Sequence, residues 1–195
     1  MSHAQPLSRL SRLARRLAAH QPVTGGDDPA LIWAAVSVVL VPDPDAVLVI
    51  RRAERPGDPW SGHMALPGGR HELGDADLLQ TAIRETREEV GLRLERPQLL
   101  GSLDDVVPRT PVLPPIAVRP FVFSLPDRLP LSPNPEVADA RWVPLDHLLD
   151  PETYHSARID VRGAPREVQA YRLEETIVWG MTERILTGLL EQVRA

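Results

Sequence analysis

The sequence predicts an α/β domain in which a mixed β-sheet lies between helices. Runs of β-branched and apolar residues alternate along the chain with two long amphipathic helices, without an internal repeat. The 195 residues, 43% of them hydrophobic, are enough to bury a single full core. No compositional linker follows residue 28. We therefore divide the chain into an N-terminal helix with its linker, residues 1–28, and one domain over residues 29–195.

The N-terminal segment predicts a short amphipathic helix over residues 7–19. Leucines form one stripe and arginines flank it: Leu7, Leu10, Leu13 and Leu17, with Arg9, Arg12, Arg15 and Arg16. A basic amphipathic helix lies on a membrane surface or packs on its own domain or a partner subunit. Packing is the commoner outcome and the one we expect. Residues 21–28, QPVTGGDD, have the composition of a linker.

The next segment predicts a β-hairpin followed by a polar loop. Ala34–Val41 and Ala46–Ile50 are strand-like runs separated by the turn signal PDPD at residues 42–45. The loop extends from Arg51 to Met64 and contains three arginines. A short apolar stretch, Ala65-Leu66, then leads into Pro67-Gly68-Gly69.

The first long helix is predicted to begin at a capping aspartate and to end at a glycine. Asp75 or Asp77 supplies the cap, and the helix runs to about Val90, before Gly91. A buried stripe follows from a spacing of four, three and four residues: Leu79, Ile83, Thr86 and Val90. We expect the acidic residues of this helix to lie on its far side, facing a cleft.

The remainder of the chain predicts five strands and a closing helix. The strands are Leu99–Leu103, Ile116–Phe123 after a Pro-rich loop, Glu136–Val143, and a hairpin of Ala157–Val161 with Val168–Leu173. A turn is expected at Pro144-Leu145-Asp146. The amphipathic helix is predicted from about Thr176 to Val193.

Composition and charge exclude several classes of function. A net charge of −5 gives no general attraction to nucleic acid or to an anionic membrane, so neither is an expected partner. The absence of cysteine excludes disulfides, thiolate zinc sites and a cysteine nucleophile. No apolar run reaches the roughly 20 residues of a membrane span, and the N-terminus lacks the apolar core of a signal peptide. We therefore expect a cytoplasmic protein.

Three glutamates in the first long helix form the strongest functional signal. Glu85, Glu88 and Glu89 stand at positions i, i+3 and i+4, which share one face of a helix. Three carboxylates within one turn repel one another unless a hard cation lies between them. Mg²⁺ or Mn²⁺ meets that need and commonly accompanies phosphate substrates. The alternative is a solvated charged face held by pairs such as Arg84 with Glu88.

The segment from Gly68 to Leu92 resembles the Nudix hydrolases. Their sequence box ends in Arg-Glu-apolar-x-Glu-Glu-x-Gly-apolar, which Arg84–Leu92 matches with Thr86 in the small or apolar position. The resemblance covers about residues 30–190 and implies a Nudix-type α/β/α sandwich. It also implies hydrolysis of a diphosphate bond with Mg²⁺ or Mn²⁺ held by the three glutamates.

The first half of the box departs from the family pattern by one inserted residue. Gly69 becomes the box glycine, and the acidic residue must come from Glu72, Asp75 or Asp77. The coenzyme A diphosphatase branch of the family has the same spacing. The residues that reproduce its pattern are Pro67, Gly68, Gly69, Glu72, Asp75 and Arg84, with further similarity at Leu100–Asp105 and Ile177–Thr182. The preceding loop, with Arg52-Ala53, Arg55, Gly62 and Leu66, matches the branch with altered spacing.

The resemblance assigns roles to individual residues. Glu85, Glu88 and Glu89 are the expected metal ligands, and Glu88 is the expected general base, although Glu85, Glu89 and Glu136 are alternatives. Arg84 is expected to orient a glutamate rather than to touch substrate. Residues expected to bind the substrate phosphates or to let the backbone approach them are Arg51, Arg52, Arg55, Gly68 and Gly69. Weaker candidates are His63, His71, Trp60, Asp104 and Asp105.

The expected substrate is a nucleoside diphosphate linked to another moiety, and the resemblance favours coenzyme A or a derivative. NADH, ADP-ribose, a nucleoside triphosphate and capped RNA are alternative substrates for the same chemistry. An alternative of another class is a domain that has lost catalysis and senses a nucleotide. A homodimer is a further expectation for the chain.

Overall fold

The fold is built around a central strand that pairs on one side in parallel and on the other side antiparallel. The computed structural model describes residues 8–25, 30–58, 60–108, 115–161 and 164–194. Its main sheet contains β1 (Ile32–Val41), β2 (Ala46–Arg52), β3 (Met64–Ala65), β4 (Gly68–Arg70), β5 (Leu99–Ser102), β6 (Ile116–Ser124) and β7 (Val137–Pro144). A smaller sheet contains β8 (Tyr154–Val161), β9 (Ala164–Leu173) and β10 (Thr176–Trp179). The helices are α1 (Arg9–Ala19), α2 (Leu78–Val90), α3 (Leu145–Leu149) and α4 (Gly180–Arg194).

The pairing pattern confirms a mixed sheet. The path of the main sheet is β3-β2-β1-β6-β5. β1 runs parallel to β6, from Ile32 opposite Ile116 to Leu40 opposite Ser124. It runs antiparallel to β2 at one end and to β4 at the other. β7 pairs antiparallel with β2, which brings the chain after residue 136 beside the loop that follows β2.

The two faces of the sheet belong to two hydrophobic clusters. Side chains alternate along a strand, so Val38 and Leu40 of β1 enter one cluster while Val39 and Val41 enter the other. The first cluster contains the buried leucines of α1 and α4, and the second contains Leu79 and Val90 of α2. The sheet therefore lies between helices, and the predicted α/β/α sandwich is confirmed.

The N-terminal helix packs on its own domain, as expected. Leu10, Leu13 and Leu17 are buried in the first cluster, while Leu7 lies outside the described residues. Arg16 donates a hydrogen bond of 2.8 Å to the Gln192 carbonyl on α4. The apolar stripe of α1 is thus covered by protein. None of the described helices is long and apolar enough to cross a membrane.

Two of the predicted elements differ in the structure. The closing helix was predicted from Thr176, but Thr176–Trp179 is a strand, β10, that pairs with β9, and α4 begins at Gly180. Gly180 has a φ of 72°, a left-handed conformation that interrupts a continuous helix. The turn predicted at Pro144–Asp146 leads directly into the short helix α3, because Leu145 and Leu148, one turn apart, both enter the core.

The predicted limits of the acidic helix are confirmed by its caps. The Asp77 carboxylate accepts a hydrogen bond of 2.7 Å from the Gln80 amide, so Asp77 rather than Asp75 is the N-cap. Gly91 adopts a φ of 74° at the other end. Asp75 is therefore available for a different contact.

Candidate functional site

The site lies where β4 is held between β1 and α2, and two glycines make this close approach possible. A β-carbon at Gly68 would lie 2.3 Å from the Ala35 carbonyl oxygen of β1. A β-carbon at Gly69 would lie 2.3 Å from Oε1 of Glu85 on α2. At Gly68 the obstacle is backbone, so no other residue fits without movement of β1, whereas at Gly69 the Glu85 side chain would have to move. The two glycines thus place the backbone directly beside the acidic helix.

Arg84 is the centre of the polar network on α2. Its Nε and Nη2 donate hydrogen bonds of 2.9 and 3.0 Å to the two carboxylate oxygens of Asp75. Its Nη1 reaches Glu85 at 2.9 Å and Glu88 at 3.1 Å, and its Nη2 also reaches the Arg70 carbonyl. This pairing holds the pKa of Asp75 well below its usual range and raises the pKa of Arg84. Arg84 thus contacts two of the three glutamates, and its role in orienting them stays a prediction.

The three glutamates occupy different environments. The Glu88 side chain is 47% exposed and the Glu85 side chain 14% exposed, whereas Glu89 as a residue is only 3% exposed. The prediction that all three face away from the buried stripe is therefore wrong for Glu89. Its Oε2 accepts a hydrogen bond of 2.9 Å from the Gly68 amide, beneath β4. The reason is the close approach of α2 to β4 that the glycines permit.

Burial changes the acidity of the two less exposed carboxyls. It raises the pKa of Glu89 to about 7, an effect that the Gly68 amide partly opposes and the charge of Glu85 reinforces. Burial also raises the pKa of Glu85, against the stabilising charge and hydrogen bond of Arg84. A cation beside these carboxyls would favour their ionised forms.

A pair of buried hydroxyls fixes the opposite face of α2 against the sheet. The Thr86 hydroxyl contacts the Ser37 hydroxyl of β1 at 2.7 Å, and both residues are fully buried. Each hydroxyl also reaches the Ala82 carbonyl, at 2.7 and 3.1 Å. Sequence reasoning did not identify Ser37, because a single serine within an apolar strand carries no pattern. The contact sets how α2 is rotated toward β4.

The donor set of the site is suited to a hard divalent cation. Its candidates are carboxylate oxygens only, next to a backbone that has no β-carbon at Gly69. Within the described residues, no three acidic or histidine side chains converge on one point as a metal ion requires. Glu88 is directed to Arg84 and Glu89 to the Gly68 amide. The assignment of Glu85, Glu88 and Glu89 as metal ligands stays a prediction.

The loop arginines lie in three different situations. Arg52 donates a hydrogen bond of 2.7 Å to Asp58, while its buried Nε has no hydrogen-bond partner among the described residues. Arg55 pairs with Glu136 at 2.9 Å, with both side chains about half exposed. Arg51 is exposed at the end of β2. Arg52 and Glu136 lie close enough to Glu89 to influence its pKa, in opposite directions. The charges of Arg52 and Glu136 therefore act on the acidic helix.

The remaining sequence candidates near the site make structural contacts. The His63 ring packs against the Trp179 ring with centroids 4.7 Å apart, and burial lowers the pKa of His63. His71 shares a hydrogen bond of 2.8 Å with the Thr81 hydroxyl. Trp60 is partly buried against the first core cluster, as the packing alternative predicts.

Asp104 and Asp105 fasten the segment that follows α1. Asp104 accepts a hydrogen bond of 2.9 Å from the Val23 amide, and Asp105 accepts one of 2.9 Å from the Gly25 amide. Asp105 also binds Arg119 through two hydrogen bonds of 2.8 Å. Both aspartates therefore have structural partners, and part of the predicted linker is tied to the domain.

Comparison with known proteins identifies relatives over most of the chain. The sequence model of the NUDIX domain matches residues 32–161. An uncharacterized Nudix hydrolase, NudL, from Photorhabdus laumondii is 33% identical over 162 residues, which cover 83% of this chain and 84% of that protein. An uncharacterized protein of Schizosaccharomyces pombe is 44% identical over 119 residues, or 58% of this chain, which spans only 36% of that longer protein. The crystal structure of a MutT/nudix family protein from Enterococcus faecalis superposes with a TM-score of 0.59 at 15% identity, covering 97% of this chain and 76% of that one.

Proposed function

The chain belongs to the Nudix hydrolase family, and on that premise we propose that it cleaves the diphosphate bond of a nucleoside diphosphate joined to a second moiety, with coenzyme A or a derivative as preferred substrate. Two contacts of α2 carry the proposal: the Gly68 amide of β4 binds Glu89, and Arg84 joins Glu85 and Glu88 to Asp75. These groups surround one edge of the sheet and differ in exposure and acidity. Metal-assisted hydrolysis uses carboxylates that differ in exposure and acidity. A charged helix face that only contacts solvent would not bury Glu89.

The contact of Asp75 supports the coenzyme A branch. Counting back from Arg84 along the general family box, the acidic residue would fall at Ala76, which is exposed. With one inserted residue it falls at Asp75, and this side chain binds Arg84 in bidentate fashion. The inserted spacing therefore keeps the acidic partner of the arginine, which is the feature the chain shares with that branch.

In the proposed mechanism the three glutamates share one task, and Glu88 has a second. Glu85, Glu88 and Glu89 would hold Mg²⁺ or Mn²⁺, which when bound neutralises the diphosphate oxygens and lowers the pKa of water. Glu88, the most exposed of the three, accepts the proton of the attacking water. The water oxygen forms a new bond to one phosphorus, the bridging P–O bond breaks, and the other phosphate leaves. Arg84 directs the Glu85 and Glu88 carboxylates through its two hydrogen bonds.

The loop after β2 provides the positive charge for the substrate. Arg52 and Arg55 lie on the side of the site formed by β7, and guanidinium groups bind phosphate through paired hydrogen bonds. Their present partners, Asp58 and Glu136, keep the side chains in place. Glu136 is a second candidate for proton transfer, because it lies near Glu89.

The proposal is tested by product analysis with purified protein and Mg²⁺ or Mn²⁺. The substrates are coenzyme A, NADH, ADP-ribose and a dinucleoside polyphosphate, with the Glu89→Gln variant as control. Cleavage of coenzyme A to phosphopantetheine and adenosine 3′,5′-bisphosphate is the expected result. Preference for another compound would exclude coenzyme A as the preferred substrate, while the proposed hydrolase activity would stand. Binding of a nucleotide without turnover of any compound would instead identify a sensing domain.

A further inference from the structure

The hairpin of β8 and β9 ends in an arm that the rest of the domain covers only in part. We define the arm as residues 157–161 of β8 with residues 164–168 of β9. The order of the smaller sheet is β10-β9-β8, so β8 is an edge, and no described strand pairs with its outer side. Along β8, residues alternate between exposed and half-buried for the full length of the strand. A long exposed edge of this kind offers unpaired backbone groups to another strand.

The base of the hairpin is fixed and the arm extends from it. At the base, Tyr154 donates a hydrogen bond of 2.9 Å to Glu183, and the Tyr171 hydroxyl contacts Thr187 at 2.8 Å, both on α4. Beyond these contacts the faces of the arm differ. The polar face carries Arg158, Asp160 and Glu167. The other face carries Ala157, Ile159, Val161 and Val168, with Arg166 beside Ile159 on the far strand. Among the described residues, neither core cluster includes these four apolar side chains.

We propose that β8 pairs antiparallel with β8 of a second copy of this chain, around a two-fold axis at Ile159. In this register Ile159 faces Ile159 of the second copy, and Ala157 faces Val161 on either side. Arg158 of each copy faces Asp160 of the other, so two oppositely charged pairs form symmetrically. The proposal does not depend on the substrate or on the catalytic residues.

The charges on β8 select this register over its neighbours. A shift of two residues in one direction would place Arg158 opposite itself, and a shift in the other direction would place Asp160 opposite itself. Like charges directly opposite one another disfavour pairing. A shift of one residue would set the polar face of one copy beside the apolar face of the other. Among these neighbouring registers, the one centred on Ile159 is the one that avoids both faults.

At the level of the two arms, the resulting sheet has four strands, two from each copy. Its apolar face becomes continuous, because Val168 and Ala157 of one arm adjoin Val161 and Ile159 of the other. An interface related by a two-fold axis uses the same surface on both copies and ends at a dimer. The contact is small, so we expect a dissociation constant of roughly 10–100 μM.

The test measures the mass of the full-length protein by sedimentation velocity at about 5–300 μM, a range chosen for a weak dimer. Asp160→Arg leaves two arginines on β8, and Arg158→Asp leaves two aspartates, so each variant should dimerise at least about tenfold more weakly. Two further samples restore the pairing: an equimolar mixture of the two variants, and a single chain with both substitutions. Both should dimerise like the wild type. Glu191→Arg, a charge reversal at an exposed position of α4, is the matched control and should have no effect.

The restored samples also show whether a variant has simply failed to fold, because misfolded chains would not recover dimerisation on mixing. Slower hydrogen exchange of the amides of residues 157–161 at high protein concentration is the expected independent result. A wild-type protein that stays monomeric up to about 300 μM would overturn the proposal. A dimer that is indifferent to Asp160→Arg, or a mixture that does not restore dimerisation, would overturn it equally.

Discussion

Arg84 and Asp75 are joined by two nearly equal hydrogen bonds, 2.9 Å from Nε to Oδ1 and 3.0 Å from Nη2 to Oδ2. The Asp75 side chain is 3% exposed and that of Arg84 18% exposed, so the pair is largely shielded from water. The same guanidinium binds Glu85 and Glu88. The loop before α2 and the acidic face of α2 are therefore held in register by one arginine.

The first prediction concerns the pH dependence of this pair. The folded-state pKa of Asp75 lies below its unfolded value of 3.8, so its stabilising effect is present above that value and is lost as the pH falls through the folded pKa. Asp75→Asn should lower the free energy of unfolding at pH 7 by about 1–3 kcal/mol, and the difference should shrink between about pH 4 and pH 2. Thermal melts across that range measure it.

Asp77 provides the matched control for this measurement. Its carboxylate is 46% exposed and pairs with Arg96, which is 60% exposed, so the ion pair is screened by solvent. Asparagine also caps a helix as well as aspartate does. Asp77→Asn should therefore have a small effect at every pH. An Asp75→Asn curve that runs parallel to the wild-type curve down to pH 2 would contradict the assigned pairing.

The second prediction concerns the two glycines of β4. Gly68→Ala places a β-carbon 2.3 Å from a backbone oxygen and 2.6 Å from the Val36 α-carbon, where relief requires movement of β1. It should destabilise the fold by about 1–3 kcal/mol. Gly69→Ala meets the end of the Glu85 side chain instead, which moves more easily, so activity should fall more than stability. Gly74→Ala, where a β-carbon meets nothing within 4 Å, is the control. Equal melting temperatures for all three variants would refute the packing described for β4.

The sequence predicted most of the elements that form the site but could not predict how deeply each side chain is buried. The ends of α2 were predictable because Asp77 and Gly91 act locally, through a cap and a left-handed residue. The burial of Glu89 was not predictable. A spacing of i, i+3 and i+4 fixes the directions of the side chains around the helix axis, but it does not say which element packs against them. That element is β4, and its distance depends on two glycines and on the contact between Thr86 and Ser37.

The segment that became β10 shows a second limit. Ile177 and Val178 fit an apolar helix stripe as well as a buried strand, so periodicity alone does not separate the two. Residues 176–179 form a strand because they pair with β9. The sequence does not show that β9, which belongs to the hairpin with β8, lies beside them. The role of Gly180 is visible only once its left-handed conformation is known.

The third prediction concerns the catalytic glutamates. Glu88→Gln and Glu89→Gln should each lower kcat by at least ~10², because each removes a carboxylate that stabilises the transition state or accepts a proton. Melting temperatures should remain near the wild-type value. Glu191→Gln, an exposed glutamate on α4, serves as the control. Unchanged turnover in both α2 variants at saturating metal would remove this helix from the mechanism.

The fourth prediction concerns stabilisation by metal. A site of three carboxylates should bind Mg²⁺ or Mn²⁺ far better in the folded chain than in the unfolded one, so millimolar metal should raise the melting temperature. The control is NaCl at the same ionic strength, which screens charge without coordination. The rise should be lost when Glu85→Gln and Glu89→Gln are combined. A melting temperature indifferent to both metals would contradict the proposed ligand set.

The last prediction concerns recognition of the 3′-phosphate of coenzyme A. Arg52 has a buried Nε without a described hydrogen-bond partner, and Arg55 pairs with Glu136 at the surface. A bidentate contact of either guanidinium with the phosphate is worth about 1.5–3 kcal/mol, or roughly 10- to 150-fold in kcat/KM. Coenzyme A should therefore be cleaved more efficiently than 3′-dephospho-coenzyme A, and Arg52→Ala or Arg55→Ala should remove that preference, chiefly through KM.

The variant Asp58→Asn distinguishes direct contact of Arg52 with the phosphate from an effect on the position of the loop. It removes the carboxylate that binds Arg52 and retains the guanidinium. If Asp58→Asn abolishes the preference as completely as Arg52→Ala does, Arg52 acts by holding the loop. Equal efficiency on both substrates in the wild type and in both arginine variants would refute recognition of the phosphate by this loop.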